Sequence, residues 1–102
     1  MSSVTATNVL VKQPGEKRYY GMDFDLLLID DTIDNSVTPT VVATPYDEDA
    51  DDLLIEDIAI EDTFVKFWIS EGSDTKYRIE VTISTIGGQI LQGDGILDVR
   101  DR

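Results

Sequence analysis

The sequence has no cysteine and no histidine. Without cysteine there are no disulfides, thiolate metal ligands or thiol nucleophiles, and the redox compartment stays open. Without histidine, the commonest general base and the commonest transition-metal ligand are both missing, which excludes zinc enzymes and Ser-His-Asp chemistry. No segment approaches the ~18 uncharged apolar residues that a membrane-spanning helix needs. The opening "MSSVTATNVL" has no basic stretch leading into an apolar run, so a soluble chain with no signal peptide and no membrane partner is expected. Positive charge is absent over a long stretch: between Tyr19 and Val65 there are 14 Asp or Glu and no Lys or Arg.

What is present is acid and alternation. The net charge is -13 over 102 residues, enough chain for one domain and too little for two. From Thr63 to the end the balance is nearly even, six acidic against five basic residues. A face this negative repels phosphate and anionic lipid, and the basic residues form no run with interleaved aromatics, so nucleic acid is not an expected partner. A basic protein surface or a divalent cation suits it better.

In "KYRIEVTIST", Tyr77, Ile79, Val81 and Ile83 alternate with Arg78, Glu80, Thr82 and Ser84, the period of a half-buried strand. "IGG" (86–88) offers a tight turn and "QILQGDGILDV" resumes the extended pattern, which predicts a C-terminal hairpin. Gly87-Gly88 and Gly93-Asp-Gly95 lack the setting of a phosphate loop and read as turn and bulge glycines. "TFVKFWIS" puts Val65, Phe67 and Ile69 on one face. Trp68, on the other, reads as core of a second layer, with an exposed contact as the alternative. "DDLLIEDIAIEDT" predicts a strand and a turn, although its apolar residues also fit helical spacing.

A strand is expected from Thr32 to Thr44, weakened or bulged at Pro39. "DLLLIDD" suggests one short helical turn near 25–29 capped by Asp25. Turn signals every 8 to 12 residues predict an all-β sandwich of about seven strands over residues 8–102, behind a flexible tail at 1–7.

Candidate chemistry is sparse. In "PYDEDADD" (45–52), Asp47, Asp49 and Asp51 have the one-three-five spacing of a calcium loop, but Asp52 stands where glycine belongs and Ile58 where the bidentate glutamate belongs. A looser calcium site remains a candidate beside a solvated loop that guards a neighbouring strand from unwanted pairing. Asp23 and Asp25, with Asp30, Asp31 and Asp34 nearby, could pair for acid-base work, yet with 21 acidic residues proximity alone has little meaning. No catalytic residue and no cofactor is expected. The candidates for interaction are Val9 and Val11 of an N-terminal segment able to add a strand to a neighbour, Trp68, and Arg100 and Arg102 at the end of the last strand.

The order of elements resembles a family of small immunoglobulin-like virion proteins of tailed bacteriophages, the fiber-tail adaptor proteins. The resemblance rests on the opening "VLVKQPGEKRYYGMDFDLLL", on "DTIDNSVT", and on "VKFWISEGSDTKYRIEVTISTIGGQILQGDGILDVRDR", with its tryptophan strand, glycine-bearing loop, tyrosine strand and final Val-Arg-Asp-Arg. It covers nearly the whole chain. Two departures stand out: Glu71-Gly72 where the family usually has two glycines, and a longer, more acidic segment from Pro45 to Asp52. The resemblance implies a non-enzymatic immunoglobulin-like sandwich, present in several copies, that joins the tail or portal assembly to fibers. Its partners would be portal, tail or fiber components and further copies of itself. It would sit in the virion, and in the host cytoplasm during assembly. A capsid cement or decoration protein is the alternative within that class; a calcium-dependent binding module is the alternative outside it.

Overall fold

The computed structural model describes residues 3–5 and 10–100. Its strands in chain order are β1 (Ser3–Thr5), β2 (Leu10–Lys12), β3 (Arg18–Asp23), β4 (Thr40–Pro45), β5 (Leu53–Glu61), β6 (Phe64–Glu71), β7 (Lys76–Ser84) and β8 (Ile90–Val99). One sheet runs β1-β8-β7-β4, with β2 also against β8; the other runs β3-β6-β5. The chain is an all-β sandwich, as its alternation predicts. With β3, β6 and β5 on one side and β4, β7 and β8 on the other, its strand order follows the B-E-D and C-F-G division of immunoglobulin domains.

The core comes from the inward parity of each strand. Val65, Phe67 and Ile69 of β6 meet Tyr77, Ile79, Val81 and Ile83 of β7 and Leu91, Leu97 and Val99 of β8, all buried. A one-residue slip in any of these strands would turn its apolar set to water, so burial itself fixes the register. The predicted hairpin pairs Lys76 with Asp98 through to Ser84 with Ile90, and Gly88 takes φ 88° in its turn. Gly93 and Gly95, expected in a turn or bulge, lie instead inside β8 in unbroken register with Val81 and Ile79. There they occupy buried positions.

Three other expectations are corrected. The strand expected from Thr32 begins only at Thr40. Before it, Ile33 makes a single bridge to Thr85, and Asp34 accepts hydrogen bonds from the Ser36 amide and hydroxyl at 2.9 and 2.6 Å, which turns the chain. The helical turn is real but short, a 3-10 turn over Asp25–Leu27. Its start is secured by Asp23, whose Oδ1 accepts the Asp25 amide at 3.0 Å, and not by Asp25. Trp68 is not core: it lies on the outer face of β6, partly buried. Within the 1–7 segment, only Ser3–Thr5 are described, as β1, parallel to Gln92–Asp94.

β5 is a strand, with a register shift between Glu56 and Ala59 where Asp57 takes φ 54°. Asp30, Asp62 and Glu71 are the other non-glycine residues with positive φ among those described. Aspartate tolerates this region through local hydrogen bonding. Glu71 has no such help at φ 64°, beside Gly72 at φ 100°, so the departure from a double glycine leaves a side chain in a conformation suited to glycine.

The connections gather at two ends. The 24–39 segment, the Asp62–Thr63 turn and the Thr85–Gln89 turn share one end: the Phe24 amide donates to the Thr63 carbonyl at 2.9 Å and the Ile86 amide to the Thr32 carbonyl at 2.9 Å. The 46–52 and 72–75 segments share the other, where the Tyr46 amide donates to the Lys76 carbonyl at 2.9 Å.

Candidate functional site

The acidic loop folds on itself before its carboxylates can converge. Asp47 Oδ1 accepts the Asp49 amide at 3.0 Å, and the Asp47 carbonyl accepts the Ala50 amide at 3.0 Å. Its exit is then fixed by a closed ring. The Asp51 amide donates to Ser73 Oγ at 2.9 Å, the Ser73 amide donates to Tyr77 Oη at 2.9 Å, and the Tyr77 hydroxyl donates to the Asp51 carbonyl. Tyr77, near the start of its strand and bonded back to the preceding turn, sits as the tyrosine of an immunoglobulin corner does. Among the described residues no three acidic groups gather as a metal-ion ligand set. The alternation of Asp47, Asp49 and Asp51 is thus not turned into a shared centre.

Three of the acids between 23 and 34, namely Asp23, Asp31 and Asp34, are occupied in hydrogen bonds that shape the loops. Asp23 Oδ1 also accepts the Thr63 hydroxyl at 2.7 Å. Asp31 reaches the β7–β8 turn, accepting the Gly87 amide at 2.9 Å and Gln89 Nε2 at 3.0 Å. The Thr85 hydroxyl first, and then the Gly87 amide, hold its carboxyl well below the usual range, at about 2. Asp34 is lowered by the Ser36 hydroxyl and amide. Carboxylates lowered as Asp31 and Asp34 are make weak proton acceptors near neutral pH, so Asp31 serves as a strut between loops and Asp34 as a brace within its own turn.

The outer face of the β3-β6-β5 sheet carries the aromatic cluster that includes Trp68. Tyr19 and Trp68 lie with ring centroids 4.8 Å apart, and Lys17 Nζ stands 5.6 Å from the Trp68 ring while pairing with Glu56 at 3.4 Å. Next along the sheet, Lys66 Nζ is 5.7 Å from the Phe64 ring and 3.1 Å from Glu61. Of the other candidates, Val11 is half-exposed and its carbonyl accepts the Tyr20 hydroxyl at 3.2 Å. Arg100 pairs with the nearly buried Asp98 at 2.6 Å. Val9 and Arg102 lie outside the described residues.

Two features escaped the sequence reading. Lys12 is fully buried, and its ammonium donates to the Gln13 and Pro14 carbonyls at 2.7 and 3.2 Å. Burial lowers its pKa, against the pull of Glu16 and Glu71. The available signal was parity: Lys12 shares the inward side of β2 with Leu10, and the Pro14-Gly15 turn brings carbonyls back over it. The second feature is a group of exposed aliphatic side chains at the Thr85–Gln89 end, foreshadowed only by the apolar crowding of "DLLLI" inside an acidic, strand-poor stretch.

Residues 12–98 match a family model described as podophage GP4 fiber-tail adaptor protein gp77. No curated protein matches the chain. The matched span begins at the buried Lys12 and runs through the acidic loop to Asp98, so it takes in almost the entire sandwich.

Proposed function

Since the chain belongs to the podophage GP4 fiber-tail adaptor protein family, we propose that it is a structural, non-enzymatic component of the virion that joins the tail or portal assembly to fibers. The observation that carries this reading is the family match from residue 12 to residue 98, which spans both sheets and both sets of loops. The distribution of acids agrees with it: Asp23, Asp31 and Asp34 stabilise turns, and the acids of the 45–52 loop stay exposed. Affinity for neighbours in such an assembly comes from apolar and aromatic anchors, and charge sets orientation and encounter rate. The Tyr19 and Trp68 cluster and the N-terminal segment around Val11 are surfaces of that kind. Arg100 and Arg102 are proposed as secondary contacts with carboxylates of a neighbour. Several copies around the tail vertex, assembled in the host cytoplasm, complete the proposal.

Cryo-electron microscopy of the virion, with this chain fitted as a rigid sandwich, tests it. Density for the chain between the tail or portal and the fibers is the expected result. Density on the capsomers would replace the adaptor by a capsid cement protein.

A further inference from the structure

The end of the sandwich built from the 24–39 connection, the Asp62–Thr63 turn and the Thr85–Gln89 turn exposes the aliphatic side chains that fold least well into a sandwich account. Leu26 is 82% exposed, Ile29 77%, Ile86 65% and Ile90 57%. Single exposed apolar residues are ordinary, but several gathered on neighbouring loops mark a contact surface. These loops are also held in place. Asp31 clasps Gly87 and Gln89, the Ile86 amide bonds the Thr32 carbonyl at 2.9 Å, and the Asp34 amide bonds the Ser84 carbonyl at 2.9 Å. A surface already fixed in shape loses little further freedom when a partner arrives.

Charge identifies that partner. Asp25, Asp30 and Asp62 stand on the same loops, and among the described residues their carboxylates enter no ion pair and accept no hydrogen bond. No Lys or Arg occurs between Tyr19 and Val65 or between Ile79 and Val99, so these loops carry no Lys or Arg, and Lys66 beside the Asp62–Thr63 turn is already paired with Glu61 at 3.1 Å. The opposite end is as acidic, through Asp47, Glu48, Asp49, Asp51 and Asp52, but among the described residues its aliphatic side chains are less exposed, Leu54 at 43% and Val11 at 36%, beside Tyr46. A second copy of the chain would bring like charge to like, at a net -13 each.

We propose that the Leu26, Ile29, Ile86 and Ile90 end docks a basic protein surface, burying these four side chains and setting Asp25, Asp30 and Asp62 against lysine or arginine of that partner. The inference rests on the adaptor reading for where the partner resides, and on this surface alone for its chemistry.

Two measurements separate the two claims. In the first, a benzophenone amino acid replaces Leu26 or Ile86, with Glu48 as control, in protein incorporated into phage particles, and cross-linked segments are identified by mass spectrometry. Cross-links from positions 26 and 86 to net-positive segments of another virion protein are expected. Cross-links to acidic or uncharged segments, or to a second copy of this chain, overturn the docking surface. Absence of the protein from particles would defeat the adaptor reading while leaving the second measurement intact. There, a fluorescent amphipathic peptide of alternating leucine and lysine is titrated with purified protein. Leu26→Ser with Ile86→Ser is expected to weaken binding about tenfold, and Asp25→Asn with Asp30→Asn and Asp62→Asn to weaken it and flatten its salt dependence. Asp47→Asn with Glu48→Gln and Asp49→Asn should leave affinity within about twofold, because charge without an anchor adds little at physiological salt. No binding by the wild-type protein, or equal affinity for the Leu26 and Ile86 variant, overturns the proposal.

Discussion

Asp31 ties the 24–39 connection to the β7–β8 turn, and its carboxyl is lowered from 3.8 to about 2 by the Thr85 hydroxyl and the Gly87 amide. The unfolded chain has the ordinary, higher value, so the contribution to stability is complete above that value and is lost as pH falls through the folded one. Denaturant unfolding between about pH 5 and pH 2 should therefore show stability falling as Asp31 protonates. Asp31→Asn should lower stability at neutral pH and make the remaining acid slope shallower; an unchanged slope would mean that other carboxylates carry it. Tyr77 is the second residue with a defined task. Its ring is in the core and its hydroxyl completes the Asp51–Ser73 circuit. Tyr77→Phe keeps the ring but strands the Ser73 amide and the Asp51 carbonyl, and should cost about 1–3 kcal/mol. The measurement is urea unfolding, and faster hydrogen exchange of the Asp51 amide would place the damage at that circuit.

Turns and strands differ in how far local sequence decides them. The β7–β8 hairpin was legible because Tyr77, Ile79, Val81 and Ile83 alternate without interruption and two glycines follow. β4 was read too long, because "TIDNSVT" has strand-forming residues but uses Asp34 to close a turn on Ser36. The choice between strand and turn there rests on a side-chain hydrogen bond that propensity does not contain. Gly93 and Gly95 differ in the other direction: their composition suggests a bulge, yet they pair with Val81 and Ile79 of β7 in unbroken register. Glycine conformation gives a test at this scale. A Cβ at Gly88 meets nothing within 4 Å, whereas one at Gly72 would approach Leu53 Cδ2 at 2.6 Å and Tyr77 Oη at 3.4 Å. Both have φ above zero, so Gly88→Ala should cost about 1–2 kcal/mol from backbone strain alone. Gly72→Ala should cost about 1 kcal/mol more by adding a clash. Thermal melting of the two variants in parallel gives the order.

The whole molecule is a sandwich whose two loop-bearing ends are both acidic, with the most exposed aliphatic side chains, Leu26 and Ile29, at one of them. Its excess negative charge opposes compaction, so the melting temperature should rise with added sodium chloride as repulsion is screened. Calcium should add no more than magnesium at equal concentration, because Asp47, Asp49 and Asp51 do not join in a group of three ligands. A specific site at one hundred times its dissociation constant would instead add about 2.7 kcal/mol. Calorimetry with calcium and magnesium in parallel distinguishes the two cases.

The sequence by itself determined the fold class, the inward face of β7, the absence of histidine and cysteine chemistry, and the family resemblance, because period-two burial and composition are local properties of the chain. Tertiary structure alone decided three further matters: that Trp68 faces outward beside Tyr19, that Lys12 is buried under its own turn, and that Leu26, Ile29, Ile86 and Ile90 come to one end. The reason is parity and distance. Alternation shows that residues fall on two faces, but where both faces carry large apolar side chains, as in β6, only the packing of the second sheet determines which becomes the core. Loops about 60 residues apart become neighbours only through a clasp such as that of Asp31 on Gly87, which joins positions 56 residues apart in sequence.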